Sequence, residues 1–176
     1  MTGSSLESVP AGPRLFLDSP IFVYVFAGSS SECRRLLDRR ENHVVAGVTS
    51  VVVMADVCYR LMAMDAVARG LMPRAAVGRR LRHRPDVVKQ LTACQEFLER
   101  IPLIGIDVLP VDLGLSMRVG EGRAGTGLLT NDSLLVAAMR DAGITAPATA
   151  GRDFERASGI EIYHPTDLGE AAPALA

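Results

Sequence analysis

Tryptophan is absent from the sequence, and aromatic residues make up 5% of its 176 positions. That leaves little material for the aromatic platforms on which single-stranded nucleic acid often stacks. Lysine is nearly missing too: Lys89 stands alone, and arginine carries the rest of the positive charge. Most chemistry that needs a lysine is thereby excluded, including the P-loop, the Schiff base and the lysine-assisted phosphoaspartate site. The three cysteines, Cys33, Cys58 and Cys94, are odd in number, far apart and without a C-x-x-C pair. They offer no disulfide framework, and a reducing cytoplasm is their simplest setting. His43, His83 and His164 are isolated, so no local zinc spacing exists. No apolar run reaches the roughly 18 residues that span a bilayer. The opening MTGSSLESVPAGPR lacks the basic start and apolar middle of a signal peptide. With a formal net charge of -1, the molecule is no polycation, and any nucleic acid must be held by a local patch.

What remains is an ordinary globular composition, 48% apolar and 22% charged, on a chain long enough for one domain. Residues 1–13 are small and polar with proline and glycine, which predicts a flexible N-terminal arm. Residues 169–176 predict a similar tail, leaving 14–168 as the folded domain. Arg14 to Asp18 (RLFLD) predicts a strand that ends in an acid. Ser19 and Pro20 then predict a helix start, with a hydroxyl cap followed by proline. Helices are predicted over 31–40, from a cap at Thr49 or Ser50 to about Ala68, over 86–100, over 112–119 and over 131–142. Strands are predicted over 104–111, 146–150 and 160–163, with a short strand or extended lead-in over 44–48. The stretch from Gly120 to Gly125 predicts a glycine-rich turn. Short strands alternating with helices argue a three-layer α/β/α sandwich around a central, mainly parallel sheet.

The acids carry the functional signal. Asp18 is the only charged residue from Leu15 to Ser31, Asp56 the only one from Val44 to Tyr59, and Asp132 the only one from Ala124 to Met139. An apolar segment implies burial, and a buried carboxylate without a partner costs several kcal/mol or gives up its charge. Asp18 falls at the carboxyl end of a strand, the edge where open parallel sheets bind ligands. Asp132 falls in the first turn of a helix, where free N–H groups favour negative charge. Carboxylates gathered at such an edge repel unless a divalent cation lies between them. Oxygen-only ligation suits Mg²⁺ or Mn²⁺, which activate water and neutralise phosphate in phosphodiester cleavage. Each acid also has a plainer role open to it. Asp18 is placed to cap a turn, Asp56 to pair with Arg60 four residues on, and Asp132 to serve as a helix N-terminal acid.

These segments resemble those of PIN-domain nucleases, in particular the VapC-like toxins of toxin–antitoxin pairs. RLFLD with Asp18 is similar to the first family motif, although Pro20 stands where an asparagine is often found. TSVVVMADVCYRL is similar to the second, with Asp56 in place of the usual glutamate. GLLTNDSLLVAAMRDAGI carries the third acid as Asn131-Asp132. ATAGRDFERASGIEIYHP resembles the closing motif, with Gly151 where a fourth acid usually stands and Asp153 two residues on. The resemblance implies Mg²⁺- or Mn²⁺-dependent endoribonuclease activity, leaving 5′-phosphate and 3′-hydroxyl ends. It implies Asp18 and Asp132 as the main metal ligands, Asp56 as a ligand or as the residue that positions the attacking water, Asp153 as a further catalytic acid or a plain partner of Arg152 or Arg156, and Ser19, Asn131 and Thr149 as supporting residues. It also implies an RNA substrate, a small antitoxin partner and a homodimer. The changes at Asp56 and Gly151 keep a second class open: a degenerate PIN module that binds RNA or protein without cleaving.

Two further signals stand apart. Gly120 to Gly125 matches G-x-G-x-x-G but follows a helix and not a strand, so a loop at the edge of the site, bringing Arg123 to RNA, fits better than a dinucleotide site. Arg79, Arg80, Arg82 and Arg84 form a basic cluster that either holds phosphates or is a solvated turn.

Overall fold

The computed structural model describes residues 3–168 and is built on one six-stranded sheet in which every pairing is parallel. The strands are β1 (Ser4–Ser5), β2 (Arg14–Leu17), β3 (Ala46–Ser50), β4 (Asp107–Leu109), β5 (Pro147–Ala148) and β6 (Tyr163–His164), in the spatial order β1-β6-β5-β2-β3-β4. The helices are α1 (Ser19–Ala27), α2 (Ser31–Glu41), α3 (Val51–Ala68), α4 (Val77–Leu81), α5 (Pro85–Val88), α6 (Ala93–Leu103), α7 (Leu113–Thr126) and α8 (Thr130–Asp141). Helices flank the sheet, giving the expected three-layer α/β/α sandwich. No helix among the described residues is long and apolar enough to cross a membrane.

The central strands are apolar because both of their faces are covered. Leu15, Phe16, Leu17 and Val48 are buried, and the main core extends from them to Val53, Val57 and Leu61 on α3 and to Leu135, Val136 and Met139 on α8. The chain order matters for the site. From β2 the path runs through β3 to β4 on one side of the sheet, while β5 and β6 fill the other side. β2 therefore has β3 and β5 as neighbours, which makes its carboxyl end the switch point where a crevice opens.

Local boundaries differ from expectation in three places, while the cap of α3 is one of the two residues expected there. Asp18, not Ser19, is the N-cap of α1, since its carboxylate accepts the Ser19 N–H and Ser19 and Pro20 already lie inside the helix. Ser50 caps α3, accepting the Val53 N–H at 3.3 Å. The helix expected over 86–100 is two helices, α5 and α6, and the second passes through Pro102 to end at Leu103. The glycine-rich segment 120–125 is helical, as the second half of α7. Asp112 caps α7 by accepting the Leu115 N–H at 2.8 Å, and Gly127, at φ 67°, supplies the left-handed stop. Leu115 and Val119 pack toward α8 and offset the roughly 1 kcal/mol that each helical glycine costs. A loop at the site edge over 120–125 is thus replaced by a rigid element.

The N-terminal segment is also better fixed than its composition suggests. Ser4 and Ser5 pair with Tyr163 and His164 as an edge strand, and Leu6 and Val9 are buried in the main core. Two apolar anchors in a polar stretch are enough to dock it, so the arm expected over 1–13 is packed from Ser4 to Val9. The tail expected over 169–176 lies outside the described residues.

A second, smaller core joins Ala63 and Ala66 of α3 to Met72, Val77, Leu81 and Val87. It seats α4 and α5 against the carboxyl half of α3.

Candidate active site

Asp18 is placed by the strand that precedes it. Leu17 and Ala148 are register partners on β2 and β5, so the next residues, Asp18 and Thr149, emerge side by side. The Thr149 hydroxyl donates to Asp18 Oδ2 at 2.6 Å, and the Ser19 N–H donates to Oδ1 at 2.7 Å. Thr149 is itself fully buried, and its hydroxyl oxygen accepts the Gly151 N–H at 3.0 Å. Burial drives the Asp18 carboxyl up to about 6, against the two hydrogen bonds, and Asp132 and Asp56 push it the same way.

Asp132 sits on the first turn of α8 and is half-buried. Burial raises its pKa first, Asp153 adds repulsion and Arg156 opposes both. Asp56 lies on α3 and accepts from Arg60 Nε at 2.8 Å; both side chains are about a third exposed, at 35% and 30%. Asp153 opens a short 3-10 turn, Asp153–Arg156, and pairs with Arg156 at 3.7 Å on the surface.

All four aspartates line one cleft of ≈ 560 Å³ at the carboxyl edge of the sheet, together with Ser19, Asn131 and Arg60. The convergence expected from sequence is therefore present. The plainer roles are present as well: Asp18 caps α1, Asp56 pairs with Arg60, and Asp132 is an N-terminal helix acid. Ser19 is buried and contributes its N–H to Asp18. Asn131 is exposed on the cleft wall. Arg79, Arg80, Arg82, Arg84 and Arg123 lie outside the cleft lining and are exposed. Arg60 is the cleft residue that sequence reasoning treated only as a partner. Its i+4 spacing from Asp56 places both on one helix face, and that spacing was the available signal.

The donors suit a hard divalent cation, since the acids offer only oxygen. Burial is the main cause of the elevated Asp18 carboxyl and repulsion from Asp132 and Asp56 a smaller one, and a cation would offset both. As the side chains stand, no three Asp, Glu, His or Cys residues among those described are close enough together to hold an ion. Asp18 and Asp132 fit as ligands because neither is ion-paired among the described residues. Asp56 and Asp153 fit only if Arg60 and Arg156 release them.

Comparison with known proteins agrees with this architecture. A family profile described as the PIN domain matches residues 15–160. Among solved structures, VapBC2 from Rickettsia felis, bound to a DNA fragment from its promoter, has a chain 15% identical with a TM-score of 0.53; the match covers 86% of this chain and 98% of that one. VapC20 of Mycobacterium tuberculosis, described as a Sarcin-Ricin loop cleaving toxin, is 17% identical with a TM-score of 0.53, covering 85% and 98%. FitAB bound to the IR36 DNA fragment is 16% identical with a TM-score of 0.50, covering 86% and 94%. No sequence among curated proteins matches.

Proposed function

The chain belongs to the PIN domain family, and from that premise we propose that it is a metal-dependent endoribonuclease acting as the toxin of a toxin–antitoxin pair. The observation that carries this reading is the single cleft into which Asp18, Asp56, Asp132 and Asp153 all face. Asp18 and Asp132 would hold Mg²⁺ or Mn²⁺. Bound there, the cation would supply Lewis acidity toward the phosphate and a more acidic water.

The protein's own groups do the rest. Thr149 and the Ser19 N–H fix both oxygens of Asp18, so the carboxylate presents one orientation to the cleft. Asp56, once freed from Arg60, accepts a proton from the attacking water, and Arg60 is left to meet a phosphate oxygen. Asn131, on the wall beside Asp132, donates to the sugar–phosphate backbone. Asp153, paired with Arg156, is the fourth acid lining the cleft. An antitoxin protein that blocks this cleft, a homodimeric state and a cytoplasmic location complete the reading. Its support is the family and the fold shared with VapC and FitAB chains.

The test is RNA cleavage with and without Mg²⁺ or Mn²⁺. Divalent-dependent cutting that disappears in Asp18→Asn and in Asp132→Asn is expected. Cutting that survives chelation, or survives both substitutions, would falsify the assignment. A second reading, a PIN module that binds RNA without cleaving it, is favoured by the Asp56–Arg60 pair and by Gly151. RNA retention with no turnover, and no metal bound at millimolar Mg²⁺, would select it.

A further inference from the structure

From residue 66 to residue 85 the sequence holds six arginines, one histidine and no acid. This segment is the end of α3, the connection to α4, α4 itself and the turn beyond it. Most arginines elsewhere in the described structure are engaged. Arg14, Arg34, Arg39 and Arg140 bind carbonyls, and Arg35 and Arg118 bind carboxylates. Within the segment, Arg69 and Arg84 are likewise paired, with Asp65 and Asp86. Arg74, Arg79, Arg80 and Arg82 are exposed and have no side-chain hydrogen bond or ion pair among the described residues. Four such guanidiniums in nine residues repel one another, and no ion pair among the described residues relieves that repulsion.

The position of this arm ties it to the cleft. Tyr59 lies one helical turn beyond Asp56 on α3, and its hydroxyl rests against the backbone of Gly78, where a methyl group would overlap it. Val77 and Leu81 point the other way, into the small core with Ala63 and Ala66. α4 is thus seated firmly, close to the α3 wall of the cleft, with its arginines turned to solvent.

We infer that this arm is a binding track for the phosphate backbone of RNA on the α3 side of the acidic cleft. The choice of RNA as ligand rests on the cleavage reading above. The arm itself favours a polyanion over a protein. Protein interfaces are organised around an apolar or aromatic centre. Here the apolar residues of the arm, Met72, Val77, Leu81 and Val87, are all buried, and the one exposed aromatic beside it among the described residues, Tyr59, is a single ring whose hydroxyl is seated on Gly78. Guanidiniums without an apolar anchor match a chain of phosphates. The track also supplies what the cleft lacks, since four carboxylates repel the RNA that must enter.

The experiment uses the full chain carrying Asp18→Asn, in chelator, with a labelled 30-nucleotide unstructured RNA of mixed sequence. Binding is measured across a salt series, for this protein and for one carrying R79Q, R80Q and R82Q in addition. The expected result is at least a tenfold loss of affinity at the lowest salt. The slope of log affinity against log salt should flatten by about 2, at roughly 0.7 per lost single-strand phosphate contact. Lysine at the same three positions should restore most of both. These side chains are exposed, so an unchanged melting temperature is expected and checks folding. Equal affinity and slope in the two proteins overturns the inference. So does a poly-glutamate peptide that competes as well as RNA at matched charge, because the arm would then fit an acidic protein. Cleavage is scored separately in the Asp18-containing chain. Arm-dependent binding without any cleavage keeps the track and removes the nuclease; cleavage with arm-independent binding does the reverse.

Discussion

The Thr149 hydroxyl reaches across from the end of β5 to hold Asp18 Oδ2 at 2.6 Å, and the pairing of Leu17 with Ala148 places it there. The carboxyl it holds is nonetheless raised from 3.8 to about 6 by burial, with repulsion from Asp132 and Asp56 added. The folded protein therefore binds the Asp18 proton more tightly than the unfolded chain does. Asp18 is tolerated fully below about pH 4, and its ionisation destabilises the fold progressively as pH rises through 6. A shift of this size corresponds to on the order of 3 kcal/mol at pH 7.

Asp18→Asn should accordingly stabilise the metal-free protein at pH 7.5. About 1–3 kcal/mol is expected, because asparagine keeps the acceptor for Ser19 but cannot accept both hydrogen bonds. The gain should vanish at pH 4. Denaturant titrations in chelator at the two pH values measure it. Equal stability of the two proteins at pH 7.5 would show that the Asp18 carboxylate is not strained. The same substitution should abolish cleavage, so stability and activity are expected to move in opposite directions at this residue.

Arg60→Gln addresses the pair on α3. The Asp56–Arg60 bridge is part-exposed, so its loss should cost about 0.5 kcal/mol or less. If Asp56 is a ligand held in reserve, its release should tighten Mn²⁺ binding severalfold, read by calorimetry. Unchanged Mn²⁺ affinity would exclude Asp56 as a ligand and leave it the proton-accepting role alone.

Much of this is legible in the sequence. Asp18, Asp56 and Asp132 each stand alone in apolar segments, and burial of those segments forces the acids to the one polar edge the sheet offers. Other features needed three dimensions. The glycines of 120–125 signal a turn by propensity, yet Asp112, Gly127 and contact with α8 outweigh that preference. Leu6 and Val9 are too few to show a periodicity, and their burial depends on strands more than a hundred residues away. The break between α5 and α6 carries no glycine or proline. It appears where Asp65 of α3 accepts the Thr92 N–H at 3.1 Å, a contact no local pattern announces.

The docked N-terminus leads to its own expectation. Leu6 and Val9 are 2% and 3% exposed. Alanine at both positions should cost about 3–6 kcal/mol in sum, from lost burial and the cavities left behind. The urea midpoint should fall markedly, without change in the slope of the transition. A loss under about 1 kcal/mol would mean that residues 4–9 are only loosely held.

Gly151 offers the sharpest test of whether the cleft is a working site or a reduced one. Its backbone is compatible with any L-residue, since its φ lies outside the left-handed region, and a Cβ there would meet only Thr149 Oγ1, at an ordinary 3.6 Å. Nothing steric therefore requires glycine at this place. A carboxylate added by Gly151→Asp would stand beside the Thr149–Asp18 pair. Without metal it should raise the Asp18 pKa further and destabilise the fold near neutral pH, because like charges at close range disfavour ionisation. With Mn²⁺ the same charge becomes a ligand, and the variant should gain more melting temperature on metal addition than the parent does. Cleavage should rise with it if metal occupancy limits the parent. A variant that is destabilised to the same extent with and without Mn²⁺ would place position 151 outside the reach of any bound ion. The thinning of the acidic set would then have no bearing on catalysis.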